Sequence, residues 1–249
     1  MKIGRLVAAS IAMLVLFVTL CAAVAELPRF GESRGSVDRR VAQLADRSRH
    51  VTNVDSFVNF DFRAMDTLGE EYLVFATVCG LSLLLRDARG KRAPEAKPPA
   101  PGRVIVRRSD LVRWIAPSFI GVGVVAGCGV VMHGQVTPGG GFQGGVTLAS
   151  VVAVVWLCYG YLVWNRFTES ERIEPVEALG AAGYALTGIA TVVFGGAAFL
   201  QNVAPLGSSG AAISGGTIWI VNLCVGIEVA AAFLVLIVEF VHDTRREVT

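Results

Sequence analysis

Six long apolar runs divide this chain, and their lengths decide what it can become. About 20 apolar residues in a helix cross a bilayer core, and a helix satisfies its own backbone polar groups in lipid. The runs are Leu6–Ala25, Tyr72–Leu85, Leu111–Met132, Phe142–Trp164, Val176–Leu200 and Thr217–Phe240. The reading is all-α: a polytopic transmembrane helix bundle of about six spans, two plus four.

The basic residues orient it. Lys2 and Arg5 precede the first run, the stretch RDARGKRAPEAKPPAPGRVIVRRSD follows the second, Arg166 and Arg172 follow the fourth, and Arg245 and Arg246 follow the sixth. The loops HGQVTPGGG and QNVAPLGSSGAAISGG hold neither Lys nor Arg. By the positive-inside rule, alternate loops and both termini face the cytoplasm, which predicts a multi-pass protein of the bacterial inner membrane. The rival reading of the first run is a signal peptide with a cleavage-like Ala23-Val24-Ala25. Its apolar stretch exceeds the usual length of about 7–15 residues, which favours a retained helix.

Pro94, Pro98, Pro99 and Pro101 exclude a regular helix from the basic stretch. It therefore separates a two-span unit (1–90) from a four-span unit (109–249), with 91–108 as a cytoplasmic linker. Its Lys and Arg residues suit either anionic lipid headgroups or plain solvent. Between the first two spans, Val37, Val41, Leu44, Val51 and Val58 recur at helical spacing, with arginines and Asp46 between them. That pattern predicts an amphipathic helix along the outer membrane surface or against a partner.

Other classes of function fit poorly. A net charge of +2 without a basic stripe argues against nucleic acid. Five cysteines in apolar runs read as small packing residues. With no CxxC pair and three scattered histidines, neither a metal site nor a cofactor is expected.

Two places carry acids where apolar residues belong. Tyr72–Leu85 is 14 residues, about 21 Å at 1.5 Å per residue, against a core of about 30 Å. The helix must begin earlier and so draws Glu71, Glu70 and Asp66 toward the membrane edge. Asp66 and Glu70, four apart, share a face, and Arg63 is placed to pair with Asp66. These acids read either as ordinary helix-start charges, as a salt bridge to another subunit, or as part of a cation or proton entry path. Glu228 lies near the middle of the last span, where an ionisable group costs at least about 2.5–3.5 kcal/mol. No base stands in the centre of any other span. Glu228 is therefore protonated, bound to water or a cation, or met by a base from another subunit. Glu239, near the cytoplasmic end, reads as a boundary charge.

The glycine-rich Pro138-Gly139-Gly140-Gly141-Phe142-Gln143-Gly144-Gly145 lacks the Lys-Ser/Thr ending of a phosphate-binding loop and any βαβ context. A tight turn and close helix approach explain it. Gly121, Gly123, Gly127, Gly129, Gly180, Gly183 and Gly188 read as further close-packing positions.

Asp61-Phe62-Arg63-Ala64-Met65-Asp66-Thr67-Leu68-Gly69-Glu70 resembles the signature of a two-span domain. That domain occurs near the C-terminus of the A subunit of Mrp-type Na⁺/H⁺ antiporters and as a small subunit of membrane-bound hydrogenases. HGQVTPGGGFQGGVTLAS resembles the pattern of the Mrp B subunit, and Asn222 to Glu228 resembles a weaker motif of the same domain. The resemblance implies a non-catalytic subunit of a Na⁺/proton antiporter complex, partnered by large antiporter-like subunits. Two other roles stay open: a membrane-arm subunit of a complex I-related redox enzyme, and a structural scaffold. Asp66, Glu70, Glu71 and Glu228 are the candidate path residues. Asp61, Arg63, Gly69, Pro138 to Phe142, Gly144 and Gly145 are signature or structural positions.

Overall fold

The computed structural model describes residues 2–25, 36–85, 110–159, 168 and 170–246. The linker expected at 91–108 and the end of the fourth run lie outside the described residues. The helices are α1 (Lys2–Ala25), α2 (Ser36–Arg49), α3 (Val54–Phe57), α4 (Ala64–Leu85), α5 (Asp110–Met132), α6 (Gly141–Tyr159), α7 (Ser170–Val193) and α8 (Thr217–Arg246), and a π-helical turn at Val58–Phe62 joins α3 to α4. The described residues contain no strand. Five helices, α4 to α8, are long and apolar enough to cross a membrane, and α1 carries a shorter apolar stretch, Met13–Ala22.

The chain forms two compact units that divide within α2, between Val41 and Ala42. The first consists of α1 and the start of α2. The second holds the remaining helices, with α8 at its centre, packed against α4, α6 and α7, while α5 packs chiefly on α6. Val221, Val225, Val229, Val235 and Val238 of α8 are all buried. By contrast Trp114, Phe119, Val122 and Val125 of α5 are exposed, as expected of a face turned to lipid or to another subunit.

The length argument for the second span holds: α4 starts at Ala64 and takes in Asp66, Glu70 and Glu71. The fifth span is shifted from its apolar run. α7 begins at Ser170 and ends at Val193, short of the expected Leu200. Gly195, with φ of +99°, turns the chain out of the helix, and the Gly196 amide donates back to the Thr191 carbonyl.

The amphipathic helix is real but shorter than its pattern. His50 adopts φ of +54°, its amide donates to the Asp46 carbonyl, and the Val51 amide donates to the Ala45 carbonyl. The bond from His50, in the left-handed conformation, to the carbonyl four residues back is the αL form of helix ending, and Ala45 and Val51 are buried there. Leu44, expected on the apolar face, is exposed. Val51 and Val58 keep the helical spacing but lie beyond the helix end.

One end of the second unit is laced together by polar groups. The Asn53 amide nitrogen donates to the carbonyls of Gly134 at 2.6 Å and Thr137 at 2.9 Å. The Asn53 backbone amide donates to Gln135 O, Ser56 Oγ to Gly134 O and Thr52 Oγ1 to Val136 O. Gln135 Nε2 reaches Ala212 O at 2.8 Å, and Asn202 Oδ1 accepts from the Thr217 amide, capping α8. His50 and Asp46 bond Gly207 and Ser209. The segment before α4 and both loops free of Lys and Arg thus gather at one end, called here the clamped end.

Candidate functional site

Three glutamates from three helices are buried inside the second unit. Glu71 of α4, Glu177 of α7 and Glu228 of α8 are 3%, 2% and 0% exposed. Both carboxylate oxygens of Glu228 lack a hydrogen-bond partner, as do one of Glu71 and one of Glu177. Glu71 and Glu177 lie near enough for their charges to act on Glu228. Burying a carboxylate without a partner costs several kcal/mol or more. Each of these groups therefore needs a proton, a hydrated cation or a base from elsewhere.

Small residues bring the helices this close. A methyl at Gly180 of α7 would lie 2.7 Å from Cα of Glu228, and one at Gly183 2.9 Å from Sγ of Cys224. Gly141 and Gly145 press α6 onto Asn222, Val225 and Val229 of α8. Asn222 fixes this contact: its Oδ1 accepts from the Gly141 amide at 2.7 Å, and its Nδ2 donates to the Val131 carbonyl at 2.6 Å. Tyr184, fully buried, donates to the Ala64 carbonyl at 2.9 Å and so ties α7 to the start of α4.

Beside the carboxylates is a polar cavity of about 320 Å³, lined by Asp55, Asn59, Thr67, Glu70, Glu71 and the Gly139–Gln143 turn among others. Glu71 lies at its buried side, whereas Asp55, Asn59 and Glu70 are exposed. Gly139 shapes the wall with φ of +118°, a conformation that favours glycine.

The signature residues fall into distinct places. Asp66 is exposed in the first turn of α4 and pairs with Arg63, Nε to Oδ2 at 2.6 Å. Asp61 forms a bidentate pair with Arg49 at 2.7 and 2.9 Å. Gly69 has open space where a side chain would stand. Pro138 is exposed in the turn before Gly139, Phe142 meets Phe233 edge-on at 6.0 Å, and Gly144 packs on Val131 and Gly127. Of the other glycines read as packing positions, Gly121 and Gly129 face open space. Glu239, read as a boundary charge, is buried and engaged.

Sequence reasoning passed over Glu177, Tyr184 and the Asn53 and Asn222 clamps. Glu177 stood at the edge of the assigned run, because Ser-Glu-Arg-Ile-Glu-Pro before it looked like loop. Its signal was the same as that of Glu228: an acid inside a window long enough to span.

These features have relatives. A family model described as a domain related to the MnhB subunit of Na⁺/H⁺ antiporter matches residues 111–235, half of the chain. An uncharacterized protein of Methanocaldococcus jannaschii is 29% identical over 197 residues, covering 73% of this chain and 74% of its own. A chain of the membrane-bound sulfane sulfur reductase, an archaeal respiratory membrane complex, superimposes with a TM-score of 0.66 at 26% identity, over 95% of this chain and 97% of that one. A chain of the Mrp complex of Dietzia sp. DQ12-45-1b gives a TM-score of 0.72 at 23% identity over 96% of this chain, which spans 26% of the Dietzia chain. Both structures are of multisubunit membrane assemblies. This multi-pass membrane protein belongs to the family of domains related to the MnhB subunit of Na⁺/H⁺ antiporters.

Proposed function

We propose that the chain is a membrane-arm subunit of a monovalent cation/proton antiporter complex and lends its carboxylates to a cation or proton path. The observation that carries this reading is Glu228, fully buried with both oxygens unpartnered. A purely structural role gives no reason to keep such a costly group at that depth. Glu71 beside the polar cavity supplies an approach, with Glu70 at its exposed part. Large antiporter-like subunits carry the main channels, and this chain has no chemistry of its own. Both termini face the cytoplasm in the cell membrane, the clamped end faces outward, and the basic linker lies where anionic lipid headgroups are in reach.

The test is isolation of the complex through this chain, then Na⁺-dependent proton movement in proteoliposomes. Loss of exchange in Glu228→Gln, with assembly unchanged, is the expected result. Wild-type exchange in an intact Glu228→Gln complex would sink the path role.

A second reading has its own support. The respiratory reductase subunit matches this chain from end to end at 26% identity. If the parent assembly is redox-linked, subunits with Fe–S cysteine motifs will co-purify, and proton movement will require an electron donor.

A further inference from the structure

An apolar groove on the other face of α8 takes no part in the carboxylate site. Its floor is α8 itself, where Leu223, Ile227, Ala230 and Leu234 recur at helical spacing on one face. Val124 and Cys128 of α5 and Val151 of α6 stand on one wall, Arg172 and Val176 of α7 on the other. The groove exists because α7 packs on α8 and α4 but, among the described residues, makes no contact with α5 or α6. Only α8 bridges the two walls, and about 570 Å³ is left between them. Pockets that hold organic ligands measure about 300–1,000 Å³.

The groove runs along the bilayer normal. Leu223 and Leu234 are eleven residues apart, about 16 Å at 1.5 Å per residue. One leaflet's acyl chains fill about 15 Å, half of the hydrocarbon core. Toward the clamped end the groove narrows, since a methyl on Gly226 would sit 2.6 Å from Val131 of α5. At the opposite end stands Arg172, exposed, at the first residue of the apolar span of α7. That is the level of the headgroups. Arg172 is the single charged residue on the lining. It also makes an interaction within the chain, but a guanidinium has further donors, so one partner does not exhaust it. In sequence, Arg107 and Arg108 stand just before the start of α5, and α5 and α7 start at the same end of the bundle.

An apolar gap left empty forfeits the dispersion contacts of its lining, and in a bilayer acyl chains are at hand to fill it. Chains alone give no preference among lipids. A guanidinium does, because its paired N–H groups bind phosphate oxygens. Basic places between helices on the cytoplasmic side favour anionic headgroups.

We propose that this groove holds one anionic phospholipid, its phosphate on Arg172 and its acyl chains along Leu234, Ala230 and Ile227. The lipid belongs to the leaflet at the Arg172 end, the cytoplasmic one in the orientation proposed above. It fills the space between α7 and the α5–α6 wall and so ties together helices that do not touch. The site is independent of which ion the assembly moves.

The experiment uses the complex isolated through this chain and reconstituted in phosphatidylcholine with a trace of phosphatidylglycerol that carries a photoactivatable diazirine on its acyl chain. Labelled positions are mapped by mass spectrometry. Label is expected in residues 124–132 and 223–234, and unlabelled phosphatidylglycerol should compete it away several-fold better than added phosphatidylcholine. Arg172→Gln is expected to erase that preference. Ile227→Trp, which fills the groove and keeps the arginine, should lower the label several-fold. Equal competition by the two lipids in the wild-type complex overturns the proposal, because any lipid-facing surface would give it. Absence of label from both segments overturns it as well, as a helix of another subunit covering the groove would produce. A preference that survives Arg172→Gln overturns the role of that residue. If a variant fails to assemble, the wild-type competition still decides.

Discussion

Gly180 lies so close to Glu228 that a single methyl group on it would sit 2.5 Å from the glutamate's backbone nitrogen. The obstacle is backbone, which no rotamer change relieves. Gly180→Ala is expected to part α7 from α8 and cost about 1–3 kcal/mol, the range for overpacking. It should lower the thermal midpoint of the solubilised complex. Gly69→Ala is the contrast. That position has open space, and alanine gains up to about 1 kcal/mol of helix propensity over glycine. It should leave the midpoint unchanged or raise it.

Neutralising the buried carboxyls should separate transport from stability. Glu71→Gln and Glu228→Gln remove the costly ionisable group at nearly constant volume. Both complexes are expected to assemble and to match or exceed wild-type thermal stability. Their exchange rates should fall by roughly tenfold or more. Matched measurements of midpoint and flux on the same preparations check this.

Asp66 behaves differently because of its position. It is exposed and paired with the equally exposed Arg63, their side chains 55% and 67% accessible. Such pairs contribute about 0–1 kcal/mol. Asp66→Asn is therefore expected to lower exchange far less than Glu71→Gln. An effect as large as that of Glu71→Gln would mean that Asp66 meets the ion, or another subunit, directly.

Asn53 is needed for its donors. Its side-chain nitrogen serves the Gly134 and Thr137 carbonyls, while its oxygen caps α3 through the Asp55 amide. Asn53→Asp keeps the cap and removes the donors. It is expected to destabilise the clamped end nearly as much as Asn53→Ala, by about 0.5–1.5 kcal/mol for each hydrogen bond lost. Faster hydrogen exchange or proteolysis in residues 133–140 in both variants checks this. A stable Asn53→Asp variant would mean that the cap dominates.

Much of this was legible in the sequence, and for identifiable reasons. Helix length against bilayer thickness placed the start of α4 outside its apolar run. The loops free of Lys and Arg, 133–141 and 201–216, were expected on one side, and both are gathered at the clamped end. The three-residue spacing of Arg63 and Asp66 anticipated their pair. What escaped depended on contacts distant in sequence. The heptad of valines ran on through His50 because periodicity carries no sign of a positive φ, so Val51 seemed helical and Leu44 seemed buried. Glu177 was lost because hydropathy locates apolar residues, whereas α7 begins with six residues, Ser170 to Pro175, that are mostly polar. Asn53 and Asn222 stood in the sequence within motifs but without a role of their own until their partners, some 80 positions away, were in place.

The central claim concerns the assembly, so the direct measurement is made on it. The complex is isolated through a tag on this chain, reconstituted without an electron donor, and given a Na⁺ gradient while internal pH is followed. The account predicts proton movement opposite to Na⁺, from a preparation that contains large antiporter-like subunits and no Fe–S subunits. Internal pH that ignores Na⁺ and changes only when a redox substrate is added would contradict it.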